Sequence, residues 1–570
     1  MEGRNALLSD LSSAAVHISR NYTSPCDAPA FKAALARVES SIAPTMRWLY
    51  RPLGSDTTVE YTTWSDVFRC LRCGDEFRYW DLMGNRTGAD SDRITCRNCG
   101  STSRKSELEW VGEEPVQSHT SSGSNRIDTH APTREELALI DEANGTPIPY
   151  WIPDVPFGTE REMWRAAHQS MSINSVADFF TRRNLHALSA LRHVIVSEGD
   201  CRVREALMFA FTAAVNRASK RYQWNAKRPT NVMTGTLYIS SLRYEWNVWS
   251  LFRRKASDVL RYYLEFPSSK ATVEVFHRSA TDLNCLPDQS VDMVFMDPPF
   301  GSNIFYADSS LLWEAWLGQL TDPAQEIVVN KHRKEATGGK SVAAYGELLG
   351  QAFQQSGRIL RKGGRAVLAF SNSDDKVWQA LQEALNQAGF DTESVHVLNK
   401  GQPSIKGVKG RSGKEHVTTL DLLLCLKHRK SPRQLSVRFP PSEKFIDDTI
   451  RDYFVRCGGV PQQIDQIYSA VIRTAIEAGH SVSGITMPAI SSRCVALGAV
   501  QRSGRWILKS DTTANSTADF VAGYLADPLT LPITTGSKAS NKAIGNARIV
   551  GGRNSALYQA HSYHTKVPPE

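Results

Sequence analysis

No stretch of this sequence approaches the run of about 18 apolar residues that a membrane-spanning helix needs, so no membrane partner is expected. The opening residues, MEGRNALLSD, lack the basic-then-apolar layout of a secretory signal. Without such a signal, ten cysteines in 570 residues argue against a disulfide framework and for a cytoplasmic chain with reduced thiols. Charge of one sign is scarce as well: 67 Lys and Arg stand against 59 Asp and Glu, and the net +8 is compatible with a polyanionic partner without demanding one. What the sequence does have is 41% hydrophobic residues, enough for a core, in a length that suggests three or four domains' worth of chain.

The stretch with the most chemistry in it is VDMVFMDPPF, residues 291–300. Val291, Met293, Val294, Phe295 and Met296 read as a buried strand, and Asp297-Pro298-Pro299-Phe300 closes it. One reading is a strand followed by a Pro-rich turn. The other is methylation of an amine. An exocyclic nucleobase amine is a poor nucleophile because its lone pair is delocalised into the ring. Two acceptors for its N–H groups would pull the nitrogen toward tetrahedral geometry: the Asp297 carboxylate and the Pro298 carbonyl, held at a fixed angle by the prolines. Phe300 could then stack on the extruded base.

D-P-P-[YF] after a strand resembles motif IV of the S-adenosylmethionine-dependent amino-methyltransferases, with Asp in first position leaning toward adenine N6 over cytosine N4. More specifically, the chain resembles the adenine-specific DNA methylases that carry a zinc ribbon. The matching stretches are GRNALLSDLSSAAVHISRNYTSPCD, YTTWSDVFRCLRCGDEF, FFTRRNLHALSALRHVI, YEWNVWSLFRRK and SATDLNCLPDQSVDMVFMDPPFGSNIFYAD, spread over most of residues 1–427. The resemblance implies an α/β fold built on a Rossmann-like methyltransferase sheet, S-adenosylmethionine as donor, structural zinc and DNA as substrate. It implies Asp297 to Phe300 as the catalytic segment, and Ser279 and Asp282 as cofactor contacts beside the alternative of a simple loop turn. Asp10 closes the apolar strand Asn5–Asp10. Read alone it serves equally as a helix N-cap; the resemblance makes it the ligand of the cofactor's ribose hydroxyls.

The family's first strand and its D-P-F-x-G-x-G loop should lie upstream of Asp10, and the sequence contains no such unit there or downstream. Gly458-Gly459 follows an amphipathic helix and Gly551-Gly552 sits in a polar tail; neither has the order strand, glycine turn, helix. The expectation is therefore a fold lacking its first strand, with that strand and loop supplied by a separate polypeptide, by a longer form of the gene or by neither. In the last case the chain would be a non-catalytic DNA-binding subunit or a degenerate remnant. Methylation of RNA is a weaker third reading.

Residues 1–55 are expected to start the methyltransferase fold, and 56–115 to be an inserted ribbon. Cys70-x-x-Cys73 and Cys96-x-x-Cys99 lie 22 residues apart, each pair followed by glycine (Gly74, Gly100), which is the layout of a four-thiolate zinc knuckle pair. Four thiolates leave no open position, so the metal would be structural. Residues 116–170 read as linker and extended chain, with polar loop over Trp110–Asn144. Residues 171–265 read as a helical insertion carrying two basic and aromatic runs, Asn216–Arg228 and Tyr244–Lys255. These suit DNA contact, or else form a solvated basic face over an aromatic core. The catalytic core resumes over 266–430, with a Gly/Lys loop at Lys400–Lys414. Residues 431–512 read as a small helical or winged-helix domain with a hairpin over Val500–Leu508, and 513–570 as a polar tail.

Overall fold

The computed structural model describes residues 3–85, 93–123, 126–225, 236–266, 271–399, 420–429, 439–502, 504–508 and 530–532. These form a mixed α/β architecture with several sheets, in two compact units. The described residues of the first fall within 1–277 and 305–326, and those of the second within 278–304 and 327–539. The Lys400–Lys414 loop, Lys227 and Arg228, and nearly all of the tail lie outside the described residues.

The first unit begins with β1 (Ala6–Asp10), then α1 (Ser13–Thr23), whose N-cap Ser12 accepts the Ala15 amide at 3.3 Å, and α2 (Ala28–Tyr50). A long antiparallel pair follows, β2 (Thr58–Arg69) against β6 (Glu109–Ser121). Between them lie β3 (Glu76–Arg78), which pairs with β2, and the small hairpin of β4 (Arg93–Thr95) and β5 (Thr102–Arg104). After β6 come β7 (Asp128–His130), pairing with β6, and α3 (Arg134–Gly145). The linker expected over Trp110–Asn144 is thus replaced by two strands and a helix. The alternation was hidden because β6 buries Ser118, His119 and Thr120, polar groups that hydrogen-bond instead of apolar ones. The start of α3 is a capping box, Thr133 taking the Glu136 amide and Glu136 taking the Thr133 amide.

Helices α4 (Arg182–Val196), α5 (Cys201–Ala218) and α6 (Val248–Leu264) build the core around Leu188, Leu191, Phe211 and Phe252, together with Trp316 from α7 (Leu311–Leu317). The expected helical insertion also contains a strand, β8 (Leu242–Trp246), paired with β2. Buried ion pairs fasten it: Arg243 reaches Asp66 at 2.8 Å and also Glu113, Lys220 meets Glu113 at 2.9 Å, and Arg183 pairs with Glu245. The unit closes with β9 (Val273–His277), parallel to β1 with Ala6 opposite Val273 and Asp10 opposite His277.

In the second unit, β10 (Val291–Met296), β11 (Leu360–Phe370), β12 (Phe390–Asn399), β13 (Asp421–His428) and β16 (Thr530–Pro532) form one sheet in the order β10-β11-β13-β12-β16. The β10–β11 pair is parallel, and β13 runs antiparallel to both its neighbours. Helices α8 (Val342–Ile359) and α9 (Asp375–Gln387) pack Tyr345, Leu349, Phe353, Trp378 and Leu381 against one face of this sheet, onto Val294, Met296, Ala366, Leu368, Leu424 and Leu426. The expected single doubly wound sheet is divided: β1 pairs with β9 and β10 with β11, and among the described residues β1 and β10 do not pair. Gly363 was expected to end α8. Instead Leu360 closes that helix in extended conformation, and Gly363, at φ +81°, lies within β11. The remaining elements are α10 (Glu443–Arg456), α11 (Ile464–Glu477), α12 (Met487–Ala496) and a hairpin of β14 (Val500–Arg502) and β15 (Arg505–Ile507), bridged by Trp506 to Gln462.

Candidate functional site

Asp297 follows β10 directly, at the carboxyl end of a strand in a parallel pair, which is where open α/β sheets place their ligands. Asp297 is exposed, and Pro298, Pro299 and Phe300 are half-buried. The turn is held from behind. The buried Tyr345 hydroxyl donates to the Pro299 carbonyl at 2.8 Å, the Gly301 amide donates to the same carbonyl at 2.9 Å, and Asn372 Nδ2 donates to the Phe300 carbonyl at 3.1 Å. Asn372 is itself fixed, its carbonyl accepting Trp378 Nε1 at 3.0 Å and the Tyr468 hydroxyl at 3.3 Å. Gly301 takes φ +64°, and a Cβ there would lie 3.1 Å from Asn372 Nδ2 and from a methyl of Val377; a larger residue would push on the same clamp. No described residue donates to the Pro298 carbonyl. Phe300 meets Phe370 edge-on, ring centres 5.3 Å apart.

Ser279 and Asp282 share a tight turn in the second unit. The Asp282 amide donates to the Ser279 carbonyl at 3.0 Å, the Ser279 and Thr281 hydroxyls lie 2.8 Å apart, and the Asp282 carboxylate meets Arg278 at 3.3 Å while remaining largely exposed. Asp10 belongs to the first unit. It ends β1 as expected and is not the cap of α1, a role taken by Ser12; its carboxylate accepts the Ser12 amide at 2.8 Å. Burial, reinforced by nearby Glu314, raises the Asp10 pKa above the usual carboxylate value. The residues expected to contact the cofactor are thus divided between the two units.

In the ribbon, the sulfurs of Cys70, Cys73, Cys96 and Cys99 all lie within 4.8 Å of one another. Each pair forms the same knuckle: the Cys70 amide donates to Asp75 O and Gly74 N to Cys70 O, and the Cys96 amide to Ser101 O and Gly100 N to Cys96 O. Gly74 and Gly100 take φ +74° and +69°, the positive φ that glycine tolerates best. The amides of Cys73 and Arg72 point at the Cys70 sulfur and lower its thiol pKa to about 6. The four thiols form a donor set that could hold a tetrahedral metal.

The basic and aromatic runs spend most of their side chains internally. Tyr61 stacks on Trp246 at 4.4 Å and on His119 at 4.0 Å, Arg254 lies over Trp246 at 4.9 Å, and Tyr222 and Tyr244 are buried. Lys220 is paired with Glu113, and Arg221 donates to Asn216 at 2.9 Å. Sequence reasoning missed Tyr345, Asn372, Trp378 and Tyr468. Asn372 had one local signal, its place just beyond a predicted strand and before a helix.

No family model matches the chain, and no curated protein matches it. Among solved structures it is similar to a candidate DNA modification methylase from Thermus thermophilus. Its selenomethionine form shows 16% identity and a TM-score of 0.15 over 31% of this chain and 60% of that one, and a second form 15% and 0.15 over 32% and 62%. Its complex with S-adenosyl-L-methionine shows 15% identity and a TM-score of 0.15 over 34% of this chain and 72% of that one. The chain thus spans about 60% of the length of the first two. At that TM-score the likeness decides nothing about fold or activity. Among the described residues no helix is long and apolar enough to cross a membrane.

Proposed function

We propose that this chain is the larger part of a DNA methyltransferase acting on the N6 amine of adenine. The observation that carries the reading is the clamped Asp297–Phe300 turn at the carboxyl end of β10. Tyr345 and Asn372 occupy the Pro299 and Phe300 carbonyls, so the Pro298 carbonyl, beside the exposed Asp297 carboxylate, is the one to accept from a substrate amine. Two acceptors on one amine fix its hydrogens and direct its lone pair, so the rate comes from positioning and preorganised charge without a covalent intermediate. Phe300 supplies the face on which the extruded adenine stacks. S-adenosylmethionine, when bound, supplies the electrophilic methyl group; Asp10, Ser279 and Asp282 are the side chains assigned to bind it. Cys70, Cys73, Cys96 and Cys99 hold a structural zinc ion with no part in the chemistry.

In protein that methylates DNA, Asp297→Ala is expected to abolish methyl transfer while leaving S-adenosylmethionine affinity within a few-fold, because the carboxylate acts on the amine. Labelled-methyl transfer to DNA and to RNA of the same sequence measures the loss and separates the two substrates. An unchanged rate in Asp297→Ala rules out the whole site and leaves the non-catalytic DNA-binding reading.

A further inference from the structure

The sequence of β10 and its position disagree. Val291-Asp292-Met293-Val294-Phe295-Met296 is apolar on both faces, the composition of a strand inside a covered parallel sheet. Among the described residues, however, β10 is the terminal strand, with β11 on one edge and no partner on the other. Val294 and Met296 face the packed core, whereas Met293 is 52% and Phe295 63% exposed. Their neighbours on that face, in register along β11 and β13, are Arg365, Val367, Cys425 and Lys427, all exposed or half-buried. Natural edges are protected by proline, lysine, a bulge that turns the edge away or a covering element. Apart from one shift of register after Val291, β10 carries only Asp292, which is paired with Arg361 at 2.5 Å.

We propose that this edge and face are a docking surface for a separate polypeptide. It adds a β-strand parallel to β10 and lays the helix that follows that strand over Met293 and Phe295. Two simpler occupants each leave half of the surface unexplained. A second copy meeting β10 with its own β10 about a two-fold axis would pair the edges antiparallel and leave both apolar faces bare. A lone helix would cover Met293 and Phe295 and leave the backbone groups of the edge unpaired. A strand followed by a helix satisfies both, and the parallel direction continues that of β10 and β11. The inference rests on the sheet alone and is independent of the methyltransferase reading.

The test uses the full, zinc-loaded chain and a displayed library of peptides of about 30 residues, the size of half a βαβ unit with its helix: an apolar randomised strand, a glycine-containing loop and an amphipathic helix. In the chain alone, Met293→Lys and Phe295→Lys are expected to leave the melting temperature unchanged, because both side chains are exposed. Enriched peptides should bind the unmodified chain, lose about tenfold or more in affinity (roughly 1.4 kcal/mol or more) on Phe295→Lys, and slow hydrogen exchange of the β10 amides. A melting temperature lowered by either lysine shows the face already filled and overturns the proposal. So does a library that yields no binders, or binders indifferent to Phe295→Lys. Protection of the β10 amides in a dimer of the chain, lost on dilution, replaces the partner with a second copy.

Discussion

At the scale of single residues, the site divides into what one segment announces and what distant segments supply. Asp297 and Phe300 are legible because a strand pattern runs straight into them. Tyr345 and Asn372 are not, because their contacts cross 46 and 72 residues of sequence and a tyrosine on a helix carries no mark of the carbonyl it will meet. The same limit applies to Lys220 and Arg221, which read as candidate phosphate contacts and turn out to be engaged by Glu113 and Asn216. Phe300 has one edge against Phe370, which fixes the ring without covering it. Phe300→Ala should therefore weaken capture of the flipped adenine by about 1–3 kcal/mol, the usual worth of a base–aromatic stack. A duplex carrying 2-aminopurine at the target position reports this as a loss of the fluorescence change on binding. A change equal to that of the unmodified protein would remove Phe300 from the base pocket.

At the scale of elements, the ribbon was legible in full, since four cysteines at fixed spacing with trailing glycines leave little choice of geometry. The β2–β6 pair was not, because its buried positions are filled by Ser, Thr and His. Small ribbons bury too little core to fold on packing alone, so their stability follows the metal. Cys96→Ser should lose zinc, and metal analysis of protein purified without chelator should find one ion per chain before the substitution and none after it; zinc-free unmodified protein would end this assignment. The polar core of β6 also sets a pH dependence. Burial holds His119 neutral and lowers its pKa to about 4, and does the same to His17 on α1. In the unfolded chain both titrate near 6.5. Their contribution to stability is therefore complete above about 6.5 and is lost as pH falls through the folded value near 4, because only the unfolded chain takes up the protons readily. Urea denaturation of the zinc-loaded protein should show stability declining below pH 6.5, and His17→Gln with His119→Gln should flatten that decline. NMR titration placing both imidazoles near 6.5 in the folded protein would contradict it.

At the scale of the whole molecule, the sequence order of strands and helices from Val273 to His428 was readable from alternating patterns, but how those strands share sheets was not. Pairing depends on contacts between distant segments, and the division into a β1–β9 pair and a separate sheet beginning at β10 leaves no mark in local periodicity. This division bears on cofactor binding. Asp10 stands at the end of a two-stranded parallel pair, and parallel strands are ordinarily stable only within larger sheets covered on both faces. Ser279 and Asp282 contribute a turn whose hydrogen bonds are largely its own. What binds a nucleoside tightly on such sheets is a glycine turn that lets backbone amides and a helix N-terminus approach the ligand, and the 570 residues contain no strand, G-x-G turn and helix in that order. Two or three side-chain contacts do not replace that cradle. Residues 1–570 alone should therefore bind S-adenosylmethionine weakly or not at all. A strand–loop–helix polypeptide docked on β10 should raise the melting temperature by mass action, and with its glycine turn the cofactor affinity as well. Isothermal calorimetry on the chain alone decides the point: a micromolar Kd would mean that residues already present build the cradle, and that the bare edge of β10 has another purpose.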